Sequence, residues 1–206
     1  MPSDLRTIDL QHRLIFLRHG ETDWNAEGRL QGQQDIDLNP IGLAQSARAA
    51  LKIKKLLQRL KLESADLNFV ASPLSRTRKT MQIVRAQMSL SEQDYQTDSR
   101  LKELSFGHWE GLTWPEVQHK SPHDALARET DKWGFVPPNG ESYAMLAQRV
   151  HPWLETIDQD TFVVAHGGIA RVLLVLLAGM AIERAPLVTI WQDRPLLFAS
   201  GSFNWI

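Results

Sequence analysis

Three segments of the chain share one hydrophobic rhythm, an apolar run, then a polar turn, then a stretch with helical periodicity. The first is Leu14-Ile15-Phe16-Leu17, ending in Arg18-His19-Gly20-Glu21-Thr22. The second is Leu67-Asn68-Phe69-Val70-Ala71, followed by Ser72-Pro73-Leu74-Ser75-Arg76-Thr77 and a helical run to about Met88. The third is Thr161-Phe162-Val163-Val164-Ala165, ending in His166-Gly167-Gly168 and entering the apolar helix of residues 169–180. This is the pattern of βα units in a mostly parallel sheet, so the fold class is α/β.

Between these units, Asn39-Pro40 starts a crossover helix that runs to about Leu60. Residues 101–140 break the rhythm: Gly, Pro, Phe106, Trp109, Trp114 and Trp133 are mixed with charged residues, which predicts an excursion forming a lid or pocket wall. Asn139-Gly140-Glu141-Ser142 opens a further helix to about Ile157, and the runs Leu187 to Trp191, Leu196 to Ser200 and Phe203 to Ile206 predict short strands at an antiparallel edge. With 206 residues, the chain fits one domain, residues 1–206.

Composition narrows the chemistry. The 23 Lys plus Arg against 24 Asp plus Glu leave a net charge of -1, which supports neither a nucleic-acid partner nor a polybasic membrane surface. The absence of cysteine excludes thiol catalysis, disulfides and Cys-based zinc sites, and fits a reducing compartment. MPSDLRTIDLQHR lacks the apolar core of a secretory signal, and the longest apolar run, Ile169 to Ile182, contains Arg171 and is too short to span a bilayer. A cytoplasmic protein is expected.

Ligands of open α/β sheets sit at the carboxyl ends of the strands, where the polar turns converge. Two histidines and two arginines would meet there. An imidazole held by a hydrogen bond at one nitrogen can attack phosphorus with the other. Arg18 and Arg76 would keep His19 neutral and hold a phosphoryl group bidentately. Gly20 would let a ligand approach the backbone closely. His166, protonated or as a neutral donor, and the N–H groups at the helix start, Gly167 first, could bind another phosphoryl oxygen, and Asn25 adds a neutral donor. Glu103 is the candidate proton source for the leaving alkoxide, partial burial favouring its protonated form, with Glu110 and Glu21 as alternatives. Glu21 could instead orient a loop or a histidine.

The ordered set Arg18-His19-Gly20-Glu21-Thr22 through Asn25, Ser72-Pro73-Leu74-Ser75-Arg76-Thr77, Glu103 with Phe106-Gly107-His108-Trp109-Glu110-Gly111, Gly140-Glu141-Ser142 and His166-Gly167-Gly168 resembles the histidine phosphatase superfamily, with its phosphoglycerate mutase-like fold. The resemblance runs from about residue 13 to 170. It implies a three-layer αβα sandwich and a phosphorylated His19. It also implies a phosphate pocket of Arg18, Asn25, Arg76 and His166, with Glu103 as proton donor and no metal or other cofactor. Gln31-Gly32 matches the stretch where family members line the substrate mouth.

His12, His119, His123 and His151 show no ligand pattern, and Pro122 interrupts any helix joining His119 to His123. His108 and Trp109 could line the pocket or pack the excursion. A phosphohistidine can be hydrolysed or can pass its phosphoryl group on. Between residues 103 and 140 the only cations are Lys120, Arg128 and Lys132, which favours a phosphatase of small phosphate monoesters over a mutase. A non-catalytic phospho-ligand binding protein is the reading from another class. The C-terminal strand edge leans toward a homodimer.

Overall fold

A computed structural model describes residues 7–206; residues 1–6, where the sequence predicts no secretory signal, lie outside the described residues. The three βα units form as expected. They are β1 (Leu14–Arg18) leading into α1 (Asp23–Ala26) and the crossover helix α2 (Pro40–Leu60), then β2 (Asn68–Ala71) with α3 (Ser75–Gln87). A two-residue strand β3 (Gln96–Thr97) follows. The excursion folds into short helices α4 (Trp114–Lys120) and α5 (Pro122–Thr130) before α6 (Tyr143–Leu154), and β4 (Thr161–Ala165) leads into α7 (Gly167–Ala178). The chain closes with β5 (Leu196–Ala199) and β6 (Ser202–Trp205).

The sheet order is β3-β2-β4-β1-β5-β6, parallel through β3, β2, β4 and β1 and antiparallel at the β5-β6 edge. Alternation along the strands divides the core. Ile15, Leu17, Phe69, Ala71, Phe162 and Val164 pack with Ile53 and Leu56 of α2 and Met81 and Val84 of α3. Leu14, Phe16, Val70, Val163 and Ala165 pack on the opposite face with α6 and α7. Helices therefore cover both faces in an αβα sandwich. Among the described residues no helix is long and apolar enough to cross a membrane.

Local chemistry sets the helix ends. Asn39 accepts the Gly42 N–H ahead of Pro40 at the start of α2, and Ser142 caps α6 through the Met145 N–H. Pro122 separates α4 from α5, so His119 and His123 lie on different helices, and it opens α5 at its first position, where its missing N–H costs nothing. The predicted strand Leu187 to Trp191 is absent: Ala185–Leu187 is a 3₁₀ turn, and the carbonyls of Val188 and Ile190 accept arginine N–H groups instead of pairing in a ladder.

Gly20 has a role other than the one expected. A β-carbon there would run into the backbone of Gly42, and one at Gly42 would run into the backbone of Glu21. The two glycines let the turn after β1 lie against the first turn of α2, rather than admitting a ligand. Glycine to alanine in a helix ordinarily gains about 0.5–1 kcal/mol. Here the methyl meets backbone, and overpacking costs about 1–3 kcal/mol. Gly42→Ala is therefore expected to destabilise the protein, read as a lower urea midpoint with an unchanged m-value.

Candidate active site

Strand register brings the two histidines together. Arg18 pairs with Ala165, and the ladder continues by one bond, the His19 N–H donating to the Ala165 carbonyl at 3.0 Å. His19 and His166 thus leave neighbouring parallel strands at the same level, with ring centroids 5.1 Å apart and planes at 63°. Ser72 ends β2 in the same way, its N–H on the Val164 carbonyl at 3.0 Å. Arg76 sits in the first turn of α3 and is fully buried.

His19 is 3% exposed. Its Nδ1 lies 2.7 Å from the Gly20 carbonyl, which can only accept, so Nδ1 carries the proton and Nε2 keeps its lone pair. Burial first, then Arg76 and Arg18, hold its pKa well below the usual histidine value, and the bond to Gly20 opposes this only in part. His166 is likewise held neutral by burial and then by Arg76, His19 and Arg18. Its Nε2 is 2.8 Å from Ser72 Oγ. That oxygen also takes the Leu74 N–H at 3.5 Å. With the Ser72 hydroxyl donating to Nε2, the His166 Nδ1 would carry the proton as a buried donor.

The guanidinium groups are held by carbonyls. Arg76 donates through Nη1 to Gln34 and through Nη2 to Gly32, each at 2.8 Å, and Arg18 Nη1 donates to Ile190 at 2.8 Å. Burial lowers both pKa values to about 10; Arg171 adds to the effect on Arg18, and Glu103 offsets part of it at both. Among the described residues, four buried atoms of this site have no hydrogen-bond partner: Arg18 Nε, Arg76 Nε, Gln31 Nε2 and His166 Nδ1. Each can donate.

Glu103 approaches the same place. Both its oxygens accept the Gly168 N–H, at 3.0 and 3.1 Å, and Oε1 takes the Leu104 N–H at 2.8 Å. The carboxylate thus takes part of the α7 N-terminus that the sequence assigns to phosphate. The alternative acids have other duties. Glu110 accepts the N–H groups of Gln33 (2.9 Å), Gln34 (3.0 Å) and Phe106 (3.2 Å), and Glu21 accepts the Asn39 amide at 3.0 Å.

Asn25 donates to Gln31 Oε1 at 2.9 Å and accepts from Gln192 Nε2 at 3.1 Å, so it orients Gln31 and ties the mouth to the C-terminal loop. The Gly32 carbonyl holds Arg76. Gly167 lies beside Arg18, Arg171 and Glu103. His108 is exposed and bonded to Asn139 at 2.7 Å, whereas Trp109 packs in a satellite core, stacked on Phe135. Among the described residues no group of three or more His, Cys, Asp or Glu could hold a metal ion.

Sequence reasoning assigned no role to Ser72 or Arg171, nor to Arg149, which donates to the carbonyls of Arg100 (2.6 Å), Lys102 (3.0 Å) and Glu103 (3.3 Å) and pairs with Glu141 at 2.8 Å. Arg171 carried a signal, as a lone cation inside an apolar helix.

Two neutral buried histidines link stability to pH. Their unfolded forms take up protons below about pH 6.5 while the folded forms do not, so this share of stability is present above that pH and is lost as pH falls. The melting temperature is expected to drop between pH 7.5 and pH 5. In a His19→Gln, His166→Gln variant the drop should be smaller; an equal drop would deny the two histidines this role.

The family described as histidine phosphatase superfamily (branch 1) matches residues 14–193. A glucosyl-3-phosphoglycerate phosphatase of Mycolicibacterium vanbaalenii is 32% identical, covering 94% of this chain and 82% of its own. A metal-independent phosphoserine phosphatase of Arabidopsis thaliana is 34% identical, covering 92% of this chain and 80% of its own. The structure of a mycobacterial glucosyl-3-phosphoglycerate phosphatase with VO3 superposes with a TM-score of 0.77 at 27% identity, covering 95% of this chain and 97% of that one. With the paired histidines, the arginine cradle and the family match in one place, this chain belongs to the histidine phosphatase superfamily, branch 1.

Proposed function

We propose that this protein hydrolyses small phosphate monoesters through a phosphohistidine on His19. The observation that carries the reading is the set of partnerless buried donors on Arg18, Arg76, Gln31 and His166 beside a neutral imidazole whose Nε2 is free. A phosphoryl group offers three acceptor oxygens and the negative charge the guanidinium groups lack. The two relatives above are named as phosphatases, and glucosyl-3-phosphoglycerate and phosphoserine are both phosphate monoesters that also carry a carboxylate.

In the first step His19 Nε2 forms a bond to phosphorus, the phosphorus–oxygen ester bond breaks, and Glu103, having taken up a proton as the phosphate dianion enters beside it, gives that proton to the departing alkoxide. Nδ1–H stays on the Gly20 carbonyl and stabilises the ring as it becomes positive. In the second step Glu103 takes a proton from water as the water oxygen bonds to phosphorus; the phosphorus–nitrogen bond breaks and returns the lone pair to Nε2. Arg18 and Arg76 offset charge on the equatorial oxygens in both steps. The excursion of residues 101–140 serves as the pocket wall.

The test uses p-nitrophenyl phosphate and alkyl phosphates, assayed with EDTA. Turnover is expected to survive the chelator. His19→Ala should cost on the order of 10³-fold or more and remove the acid-labile phosphoprotein. Glu103→Gln should cost on the order of 10²-fold on alkyl esters and less on the aryl ester, whose leaving group needs little protonation. Conversion of 3- to 2-phosphoglycerate faster than phosphate release would replace hydrolysis by transfer.

A further inference from the structure

The near-zero net charge of the whole chain hides a segregation of charge between its two helical layers. Helices α2 and α3, which cover one face of the sheet, hold nine Lys or Arg residues and no Asp or Glu, and Lys61 adds a further cation at the end of α2. With a net charge of -1 over 206 residues, the rest of the chain is acidic. The two helices lie side by side and run in the same direction. Ser46 Oγ meets Thr80 Oγ1 at 3.2 Å, and further along Lys54 Nζ donates to the Gln87 carbonyl at 3.2 Å. Their apolar sides pack on Ile15, Leu17, Phe69 and Phe162, so their outer sides form one face.

Two of these cations point inward, Arg76 into the phosphate pocket and Arg85 over the Phe69 ring at 4.4 Å. Lys52 is tied to the Asp193 carbonyl and Lys54 to that of Gln87. Arg48, Lys55, Arg59, Lys61, Arg78 and Lys79 are exposed and, among the described residues, make no side-chain hydrogen bond or ion pair. Along α2 the exposed positions 41, 44, 48, 51, 55 and 58 follow the alternating three and four spacing of one helix side. In that stripe Ile41 is 56% exposed and Leu51 53%, so aliphatic side chains stand in water among unpaired cations. Neither helix carries an aromatic residue.

We propose that the outer face of α2 and α3 docks the protein on a membrane surface rich in anionic lipid. A cluster of about four to eight Lys or Arg on one helical surface is drawn to such headgroups. Ile41 and Leu51 choose between polyanions. Among headgroups they reach the acyl boundary, whereas against the phosphates of a nucleic acid they find no apolar surface. A single strand would also call for aromatic platforms under its bases, which this face lacks. At 21 residues α2 is about 31 Å long, enough for the unpaired cations to meet a flat surface together. The face lies along the sheet while the pocket opens at the ends of β1 and β4, so docking leaves the mouth free.

Flotation of the full chain with phosphatidylcholine vesicles, with and without one third phosphatidylglycerol, tests the assignment. Partitioning is expected onto the anionic vesicles alone, falling on the order of tenfold between about 0.05 M and about 0.5 M salt. Lys55→Glu should lower it on the order of tenfold. Arg184→Glu, the same charge change at an exposed position on the opposite layer, should lower it about twofold at most. Leu51→Ser should lower it on the order of threefold with the charge intact. An unchanged melting temperature shows that a variant is folded, and Lys55→Gln, with a smaller loss, stands in if Lys55→Glu does not fold. No binding, equal binding to neutral and anionic vesicles, or equal losses from Lys55→Glu and Arg184→Glu overturns the proposal. Leu51→Ser binding like the parent, or tighter binding to duplex RNA than to the anionic vesicles, takes the face away from the membrane.

Discussion

The arrangement depends on positive charge buried without an equal measure of negative charge. Arg76 is fully enclosed and Arg18 half so, and the groups that hold them are mostly carbonyl oxygens, which orient a guanidinium without cancelling it. Glu103 is the carboxylate that offsets both, with Asp35 and Glu110 contributing at Arg76 alone. Burial first, and then this remaining field, keep His19 and His166 neutral, and a neutral imidazole is the form that can attack phosphorus. In the proposed mechanism this electrostatic excess, added to burial, would prepare the nucleophile and attract the group it attacks.

The same bonds decide the shape of the loops. Arg76 draws in the carbonyls of residues 32 and 34, Arg18 that of residue 190 and Arg171 that of residue 188. Segments far apart in sequence are pinned around the ends of β1 and β4 by side chains from the strands and helices, not by contacts of their own. Glu110 secures the 33–34 turn from the other side, and Arg149 fixes the backbone that carries Glu103. Rigid elements place the groups, and the loops follow.

This explains what could be read from the sequence. The three βα units were legible because strand and helix periodicities are local, and the meeting of His19 with His166 followed from strand ends sharing one edge of the sheet. Arg18 and Arg76 were read for the same reason, whereas Glu103 came from the need for a proton source, with Gln31 and Gly32 resting on the resemblance. The loop at Val188 and Ile190 was misread because apolar alternation says nothing of which distant arginine will claim a carbonyl. Helices α4 and α5 were hidden by the aromatics and prolines around them, although Thr113 and Glu116 spell a capping box that marks the start of α4. Arg128 counted in sequence as one of few cations in a weakly basic excursion; in the structure its guanidinium lies over the Trp114 ring.

The two glycines after His166 show how closely binding and proton transfer are spaced. A side chain at Gly168 would strike the Glu103 carboxylate and crowd Leu146, so this position is empty to let the acid reach the α7 N-terminus. One residue earlier, a side chain at Gly167 would fill the space bounded by Arg18, Arg171 and Glu103. In the proposed mechanism the first glycine leaves room for the anion and the second for the acid, and one residue step along α7 separates them. The helix start favours negative charge at both points. In the proposed mechanism a phosphoryl group and the Glu103 carboxylate would share that field, which would set the acid beside the substrate it protonates.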